Sequence, residues 1–217
     1  MRQPAAGLTD NNVTESKYNR TTEFELIPSE VLLEGYAQGV FPMARSRRDP
    51  EFNWYTASRR GVIPIDKFHV SRKVQRIIRN KPHRWAVNED FRAVIEECAD
   101  RDSTWISNRI IESFVRLHEL GYAHSVEVYR DDRMVAGLYG VALRSAFFAE
   151  SMFQREPEMG KVALYYCHKR LKQRNFRLWD VQFFTPHLAQ FGCEEMDAGD
   201  YDKKLARALR HAARFDG

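Results

Sequence analysis

The stretch His124-Ser-Val126-Glu127-Val128-Tyr129-Arg130-Asp131-Asp132-Arg133-Met134, continued to residue 152, decides the fold. Its apolar residues fall on every second position, Val126 and Val128 against Glu127 and Tyr129, which is the period of a strand. Asp131-Asp132 makes a tight turn into a second strand over 134–143, and Arg144-Ser145 leads into a third over 146–152. Three consecutive antiparallel strands form a meander. A helix over 160–173 follows, packing Val162, Ala163, Leu164, Tyr166 and Leu171, then a strand over 177–184 and helical segments over 186–191 and 201–213. Before the meander, helices are expected over 90–99 and 107–120, the second stopped by Gly121. The order meander, helix, strand, helix predicts an α+β fold, a mixed and mostly antiparallel sheet flanked by helices.

Further upstream, Ser29 is a candidate cap for a helix expected to carry Val31, Leu32, Leu33 and Tyr36 and to end near Gly39, and Phe41-Pro42-Met43 is expected to turn the chain. Extended segments are expected around Trp54-Tyr55 and over 62–65, where Pro64 predicts an edge position. A helix opened by Ser71 aligns Val74, Ile77 and Ile78 on one face and leaves Arg72, Lys73, Arg76 and Arg79 on the others. The first residues are polar and aperiodic. The expected organisation is a flexible leader over 1–22, a small N-terminal subdomain over 23–58 and a catalytic domain over 59–217.

The 217 residues, 43% hydrophobic and 12% aromatic, suffice for one substantial core. The net charge of +4 is unevenly spread. Between Arg45 and Arg84 there are twelve Lys/Arg against Asp49, Glu51 and Asp66, a local net of +9. Such a stretch suits a polyanion, although a charge run also serves solubility alone. No window approaches the length of a membrane span and the N-terminus lacks the apolar centre of a secretion signal, so a cytoplasmic protein without membrane partners is expected. Cys98, Cys167 and Cys193 lie far apart and no histidine spacing suits a metal, which predicts reduced thiols and no metal or other cofactor.

GxSxG, HExxH and GxxxxGK[ST] are all missing, which disfavours a serine elbow, a zincin and a phosphate loop. In Leu178-Trp179-Asp180-Val181-Gln182-Phe183-Phe184, alternation puts Asp180 and Gln182 on one face and large apolar groups on the other. Burying such groups unpartnered costs about 1–3 kcal/mol each, so they form either a satisfied hydrogen-bond pair or a working one. Glu150 sits in a comparable aromatic run, Phe147-Phe148-Ala149-Glu150-Ser151-Met152-Phe153. Convergence of the two strands would gather two carboxylates, an amide and a hydroxyl in one cleft, with no motif that activates a nucleophile among them. That set suits attack by an amine on an ester already activated.

Tyr36-Ala-Gln-Gly-Val-Phe41-Pro42, Thr104-Trp105-Ile106, Leu117-His118-Glu119-Leu120-Gly121, Gly137-Leu-Tyr139-Gly140, Glu150-Ser151-Met152-Phe153 and Asp180-Val-Gln182 occur in that order. The chain thereby resembles the bacterial leucyl/phenylalanyl-tRNA-protein transferases from about Leu26 to beyond Gly192. The resemblance implies a GCN5-related acyltransferase fold with a small N-terminal unit. It also implies transfer of leucine or phenylalanine, with methionine a further candidate donor, from tRNA to N-terminal arginine or lysine, marking the protein for degradation by the N-end rule. Partners would be aminoacyl-tRNA and proteins with exposed N-termini, and the enzyme a monomer.

By position, the resemblance makes Asp180 and Gln182 catalytic and gives Glu150 and Ser151 to the acceptor, whose positive side chain Glu150 would meet. Gln182, oriented by Asp180, would position the α-amine and help it lose a proton. Leu138, Met152, Leu164, Cys167, Leu171 and Trp179 would form the donor side-chain pocket. Tyr36, Met43, Trp105 and Thr185 would meet the tRNA 3′ end, and Arg72, Lys73, Arg76 and Arg79 its backbone. Departures touch specificity: Met43 replaces a usual tryptophan and Thr185 a usual asparagine. Cys167 and Trp179 replace a larger and a smaller pocket residue, and the short N-terminal unit lacks the usual Gly-Gly-Asp-Leu. Two rivals fit less well. An acetyl-CoA-dependent acetyltransferase needs a glycine-rich phosphate cradle where this chain has Gln154-Arg155-Glu156-Pro157-Glu158-Met159-Gly160-Lys161, and a non-enzymatic RNA-binding module leaves Asp180 and Gln182 without a task.

Overall fold

Strands β5 (Ala123–Arg130), β6 (Arg133–Leu143) and β7 (Ala146–Gln154) form the expected meander, with Asp131, Asp132 and Arg144 at positive φ in its turns. The computed structural model describes residues 25–80 and 82–216; the leader expected over 1–22 lies outside them. The described residues open with α1 (Ser29–Ala37), β1 (Phe41–Met43), β2 (Asn53–Tyr55), β3 (Arg59–Val62), α2 (Arg72–Asn80) and β4 (Arg84–Val87). Next come α3 (Phe91–Ala99) and α4 (Asn108–Glu119), whose N-termini are capped by Asp90, accepting from Ala93 N at 3.0 Å, and Ser107, accepting from Ile110 N at 3.3 Å. After the meander the chain runs through α5 (Met159–Gln173), β8 (Leu178–Asp180), α6 (Pro186–Ala189), β9 (Glu194–Asp197) and α7 (Ala198–Leu209).

Seven strands form one sheet in the order β4-β5-β6-β7-β8-β3-β9, antiparallel throughout except where β7 meets β8. The mixed, mostly antiparallel α+β architecture is therefore the observed one. Parallel pairing of β7 with β8 needs a crossover, and α5 supplies it. Alternation along the meander separates two buried faces. Val126, Val128, Leu138 and Phe147 pack towards α2 and α5, while Tyr139, Val141 and Phe148 pack towards α1, α3, α4 and α7. Glu127, on the second face, is fully buried and takes a 2.6 Å hydrogen bond from Ser125 Oγ.

Several local expectations change. Residues 41–43 are a strand pairing with β2 rather than a turn. The short strands β4 and β9 are additional to the expected elements. β3 ends at Val62, before Pro64, and lies between β8 and β9 instead of at an edge, because the proline falls outside the ladder and forfeits no bond. The strand expected over 177–184 stops at Asp180. Among the described residues no helix is long and apolar enough to cross a membrane.

Pairing of β7 with β8 also stops early. Ala146, Phe147 and Phe148 face Leu178, Trp179 and Asp180; beyond that point β8 ends while β7 runs on to Gln154. The ladder between the two strands thus ends in an unpaired wedge of β7, at the carboxyl ends of parallel strands where open sheets hold ligands.

Candidate active site

Arg60 of β3 and Asp180 of β8 meet at the closed end of the wedge. Both are essentially unexposed, at 1% and 0%. Arg60 Nε lies 3.0 Å from each carboxylate oxygen and Nη2 donates to Oδ2 at 2.7 Å, while Nη1 donates to Gly39 O at 2.9 Å. Tyr201 OH adds a 2.5 Å bond to Oδ2. The guanidinium is sandwiched between the rings of Phe41 and Tyr201, 4.8 Å from each centroid. Arg60, counted above within the cationic run, is thus a buried counter-ion and no part of a polyanion surface. Its strand period, one position from exposed Arg59 and in step with buried Val62, was the available signal.

Gln182 reaches the wedge through a turn. Alternation along a strand is the wrong reason for its placement, because the strand has already ended. Its φ is +58°, a left-handed conformation that costs a non-glycine residue about 1 kcal/mol or more. Three hydrogen bonds hold the turn there: Gln182 N donates to the Asp180 side chain at Oδ1 (2.7 Å), Gly61 N donates to Gln182 O at 3.0 Å, and Phe183 N donates to Val181 O at 2.7 Å. Asp180 therefore orients Gln182 through the main chain. Gly61 permits the close approach, since a Cβ there would lie 2.6 Å from the carbonyl carbon of Phe183. Gly61→Ala is expected to cost about 1–3 kcal/mol by overpacking and to displace Gln182; urea unfolding measures the first effect and turnover the second.

Glu150 completes the group. The register of β6 against β7 shifts between Tyr139↔Ser151 and Gly140↔Ala149, so Glu150 is the extra residue of a β-bulge, which turns its side chain towards the wedge. Its Oε1 accepts from Tyr36 OH at 2.8 Å and from Gln182 Nε2 at 3.1 Å. Burial pushes the Glu150 carboxyl up to about 8; the Tyr36 hydroxyl opposes that, Asp180 adds to it and Arg60 opposes it. Tyr36, expected at the tRNA 3′ end, is fully buried with its hydroxyl on Glu150.

The other expected site residues divide. Ser151 Oγ accepts from Arg101 Nη2 at 3.1 Å, and the same nitrogen donates to Met152 O at 2.6 Å. Leu138, Leu164, Cys167, Leu171 and Trp179 are buried in the core beneath α5, with Met152 packed against it. None of the six lines the cavity of about 410 Å³ nearby, whose walls include Phe68, Ile78, Arg79, Tyr165 and His168. Phe68 does pack on Trp179, with ring centroids 5.4 Å apart. Met43 and Trp105 are half-buried neighbours, tied by Ala44 N donating to Trp105 O at 3.0 Å. Close by, Arg45, Arg47, Arg48 and Arg101 line a groove of about 310 Å³. Thr185 is exposed at the start of α6, where Oγ1 accepts from Leu188 N at 3.1 Å.

Electrostatics refine the cationic stretch. Arg45, Arg59, Lys67, Lys73 and Arg84 are each paired with a carboxylate, most from elsewhere in the chain, so the field is weaker than its composition suggests. Arg72, Arg76 and Arg79 project from α2 along one exposed stripe, and among the described residues none of them has an ion-pair partner. The cysteines are free and buried, and burial pushes the thiols of Cys98 and Cys193 up to about 12 and 11. No group of three or more potential metal ligands occurs among the described residues.

Comparison with known proteins gives concordant matches. The family model described as leucyl/phenylalanyl-tRNA protein transferase matches residues 62–206, and that of the family's N-terminal domain matches residues 27–58. A leucyl/phenylalanyl-tRNA-protein transferase of Cereibacter sphaeroides is 49% identical over 185 residues, 85% of this chain and 86% of that protein. Proteins of the same name from Ruegeria pomeroyi and Paramagnetospirillum magneticum are each 45% identical, covering 87% and 88% of this chain and 90% and 93% of their own. Among solved structures, a GCN5-related N-acetyltransferase-like protein from Streptococcus suis is 15% identical with a TM-score of 0.30, covering 87% of this chain and 64% of that one. So distant a likeness bears no weight beside the sheet order.

Proposed function

This chain belongs to the leucyl/phenylalanyl-tRNA-protein transferase family, and from that premise we propose how its residues carry the reaction. The enzyme is an aminoacyltransferase, moving an amino acid from its ester on tRNA to the N-terminal amine of a protein. The observation that carries the assignment of residues is the wedge between β7 and β8, where Glu150 and Gln182 share a hydrogen bond above the buried Arg60–Asp180 pair.

In this reading the acceptor N-terminus enters the wedge and meets Glu150 and Ser151, with the Gln182 amide orienting the α-amine. Asp180, with no exposed surface, acts as a positioning residue that fixes the Gln182 turn. The apolar group of Leu138, Met152, Leu164, Cys167, Leu171 and Trp179 receives a leucine- or phenylalanine-sized donor side chain. Met43, Trp105 and Thr185 face the RNA 3′ end, and Arg72, Lys73, Arg76 and Arg79 grip its phosphates. The unit over 23–58 contributes Tyr36 and Met43 to the site and the domain over 59–217 of the same chain supplies the rest, so the enzyme works as a monomer; its acceptors begin with arginine or lysine.

Incubation of labelled leucyl- or phenylalanyl-tRNA with a peptide beginning in arginine or lysine tests this, label being expected in the peptide. Binding of the tRNA without transfer from either donor would overturn it in favour of an RNA-binding module. Charge removal at Arg72, Arg76 and Arg79 is expected to weaken tRNA binding and lower the slope of log K against log salt by about 1 per cation, measured by filter binding.

A further inference from the structure

We propose that Glu150 is the proton acceptor of the transfer, taking the proton that the attacking α-ammonium must lose, with Gln182 and Tyr36 as its positioning residues; this rests on the transferase reading above. An N-terminal amine titrates near 8, so at neutral pH it arrives largely as an ammonium without a free electron pair. Three polar side chains at the wedge could respond. Gln182 can accept a hydrogen bond through Oε1, but an amide does not hold a proton near neutral pH. Asp180 is sealed: its two oxygens are taken by Arg60, Tyr201 and the backbone N–H of Gln182. Glu150 differs from both. Tyr36 and Gln182 donate to its Oε1, which fixes the carboxylate plane, while Oε2 has no hydrogen-bond partner among the described residues. The bulge of β7 presents that oxygen where β8 has already ended.

The surroundings tune the group for this task. Burial raises its carboxyl to about 8, the range of the amine itself, so the proton passes between near-equal bases. From α1 the Tyr36 hydroxyl favours the carboxylate; from β8 the charge of Asp180 disfavours it; from β3 Arg60 favours it. Tyr139 of β6 also faces it, and its buried hydroxyl stays protonated throughout this range. Arg101 is engaged by the neighbouring Ser151 and Met152, and Tyr201 by Asp180.

The step balances as follows. One ammonium N–H bond breaks and its proton goes to Glu150 Oε2. The freed electron pair forms the N–C bond to the ester carbonyl carbon. The carbonyl C–O bond to the ribose oxygen then breaks, that oxygen takes a second proton from the attacking nitrogen, and Glu150 returns its own proton to solvent. Products are the new amide, a tRNA with a free ribose hydroxyl and one proton.

The test is the pH dependence of transfer from phenylalanyl-tRNA to an arginine-starting peptide by the full chain, for wild type, Tyr36→Phe and Glu150→Gln. Activity of the wild type is expected to rise through pH 8. Tyr36→Phe removes a bond that favours the carboxylate, so the rising limb is expected to move up by roughly one unit, giving about a tenfold loss at pH 7 that closes at high pH. The titration of the peptide's own amine is indifferent to this substitution. Glu150→Gln is expected to lower kcat about 10²- to 10⁴-fold. An unmoved limb in Tyr36→Phe, or a Glu150→Gln effect confined to KM, would overturn the proposal. Should Tyr36→Phe fail to fold, carbon-13 NMR of labelled glutamate in the wild type decides: a wedge carboxyl titrating near 8 supports it, and one titrating near 4 to 5 sinks it. Absence of any transfer by the wild type would instead defeat the transferase reading.

Discussion

Arg60→Met is expected to destabilise the protein by about 3–5 kcal/mol, because it strands the Asp180 carboxylate in a site with no exposed surface. Methionine keeps much of the side-chain volume between Phe41 and Tyr201, so most of the loss is electrostatic. Tyr201 and the Gln182 N–H still reach the carboxylate, yet neither carries charge. Against a domain stability of about 5–15 kcal/mol, this is among the most damaging single changes open to the chain. Adding Asp180→Asn should recover part of the stability, since a neutral amide is cheaper to bury than an unpaired anion. It should not restore activity, because the turn carrying Gln182 loses its charged anchor. Urea unfolding of both single variants and the double variant, read as a double-mutant cycle, checks this; additive effects would mean that the pair is not coupled.

Gln182→Ala is expected to slow transfer by about 10²- to 10⁴-fold while leaving the affinity for tRNA within about twofold. The amide is the bridge between Glu150 and the turn, and its removal leaves Glu150 without one of the two donors that orient it. Position 182 has φ +58°, so alanine there also carries backbone strain. Gln182→Gly resolves it: glycine tolerates that conformation, so a loss as deep as that of alanine assigns the effect to the missing amide. Recovery of turnover in the glycine variant would show that geometry of the turn, and not the side chain, was being measured. Single-turnover rates with tRNA binding measured in parallel provide both numbers.

How much was legible follows from where the information resides. The meander, α3, α4 and α5 are encoded by local periodicity and caps, so their residues announce them. β4, with Arg84-Trp85-Ala86-Val87, and β9, with Glu194-Glu195-Met196-Asp197, are strands because β5 and β3 offer them an edge, which no local pattern records. Glu150 and Gln182 stood out as polar residues in aromatic runs, and the two do converge. The reason is another matter. The bulge depends on pairing with β6 and the turn on contacts with β3, both distant in the chain. Arg60 was hidden by its own composition class, since a count of cations cannot tell a surface charge from the buried partner of a carboxylate 120 positions away. Tyr201 lies in an expected helix, where no local pattern records its bond to Asp180.

One carboxylate ties four parts of this molecule: Arg60 on β3, the end of α1 through the carbonyl of Gly39, Tyr201 on α7, and the turn that presents Gln182. Selection therefore cannot adjust that turn in isolation, because variants that loosen it also loosen three neighbouring segments and are removed as misfolded before their chemistry is tried. Inherited diversity in which donors and acceptors are accepted should accumulate instead around the rim, at positions such as Met43 and Thr185, while the hub drifts little.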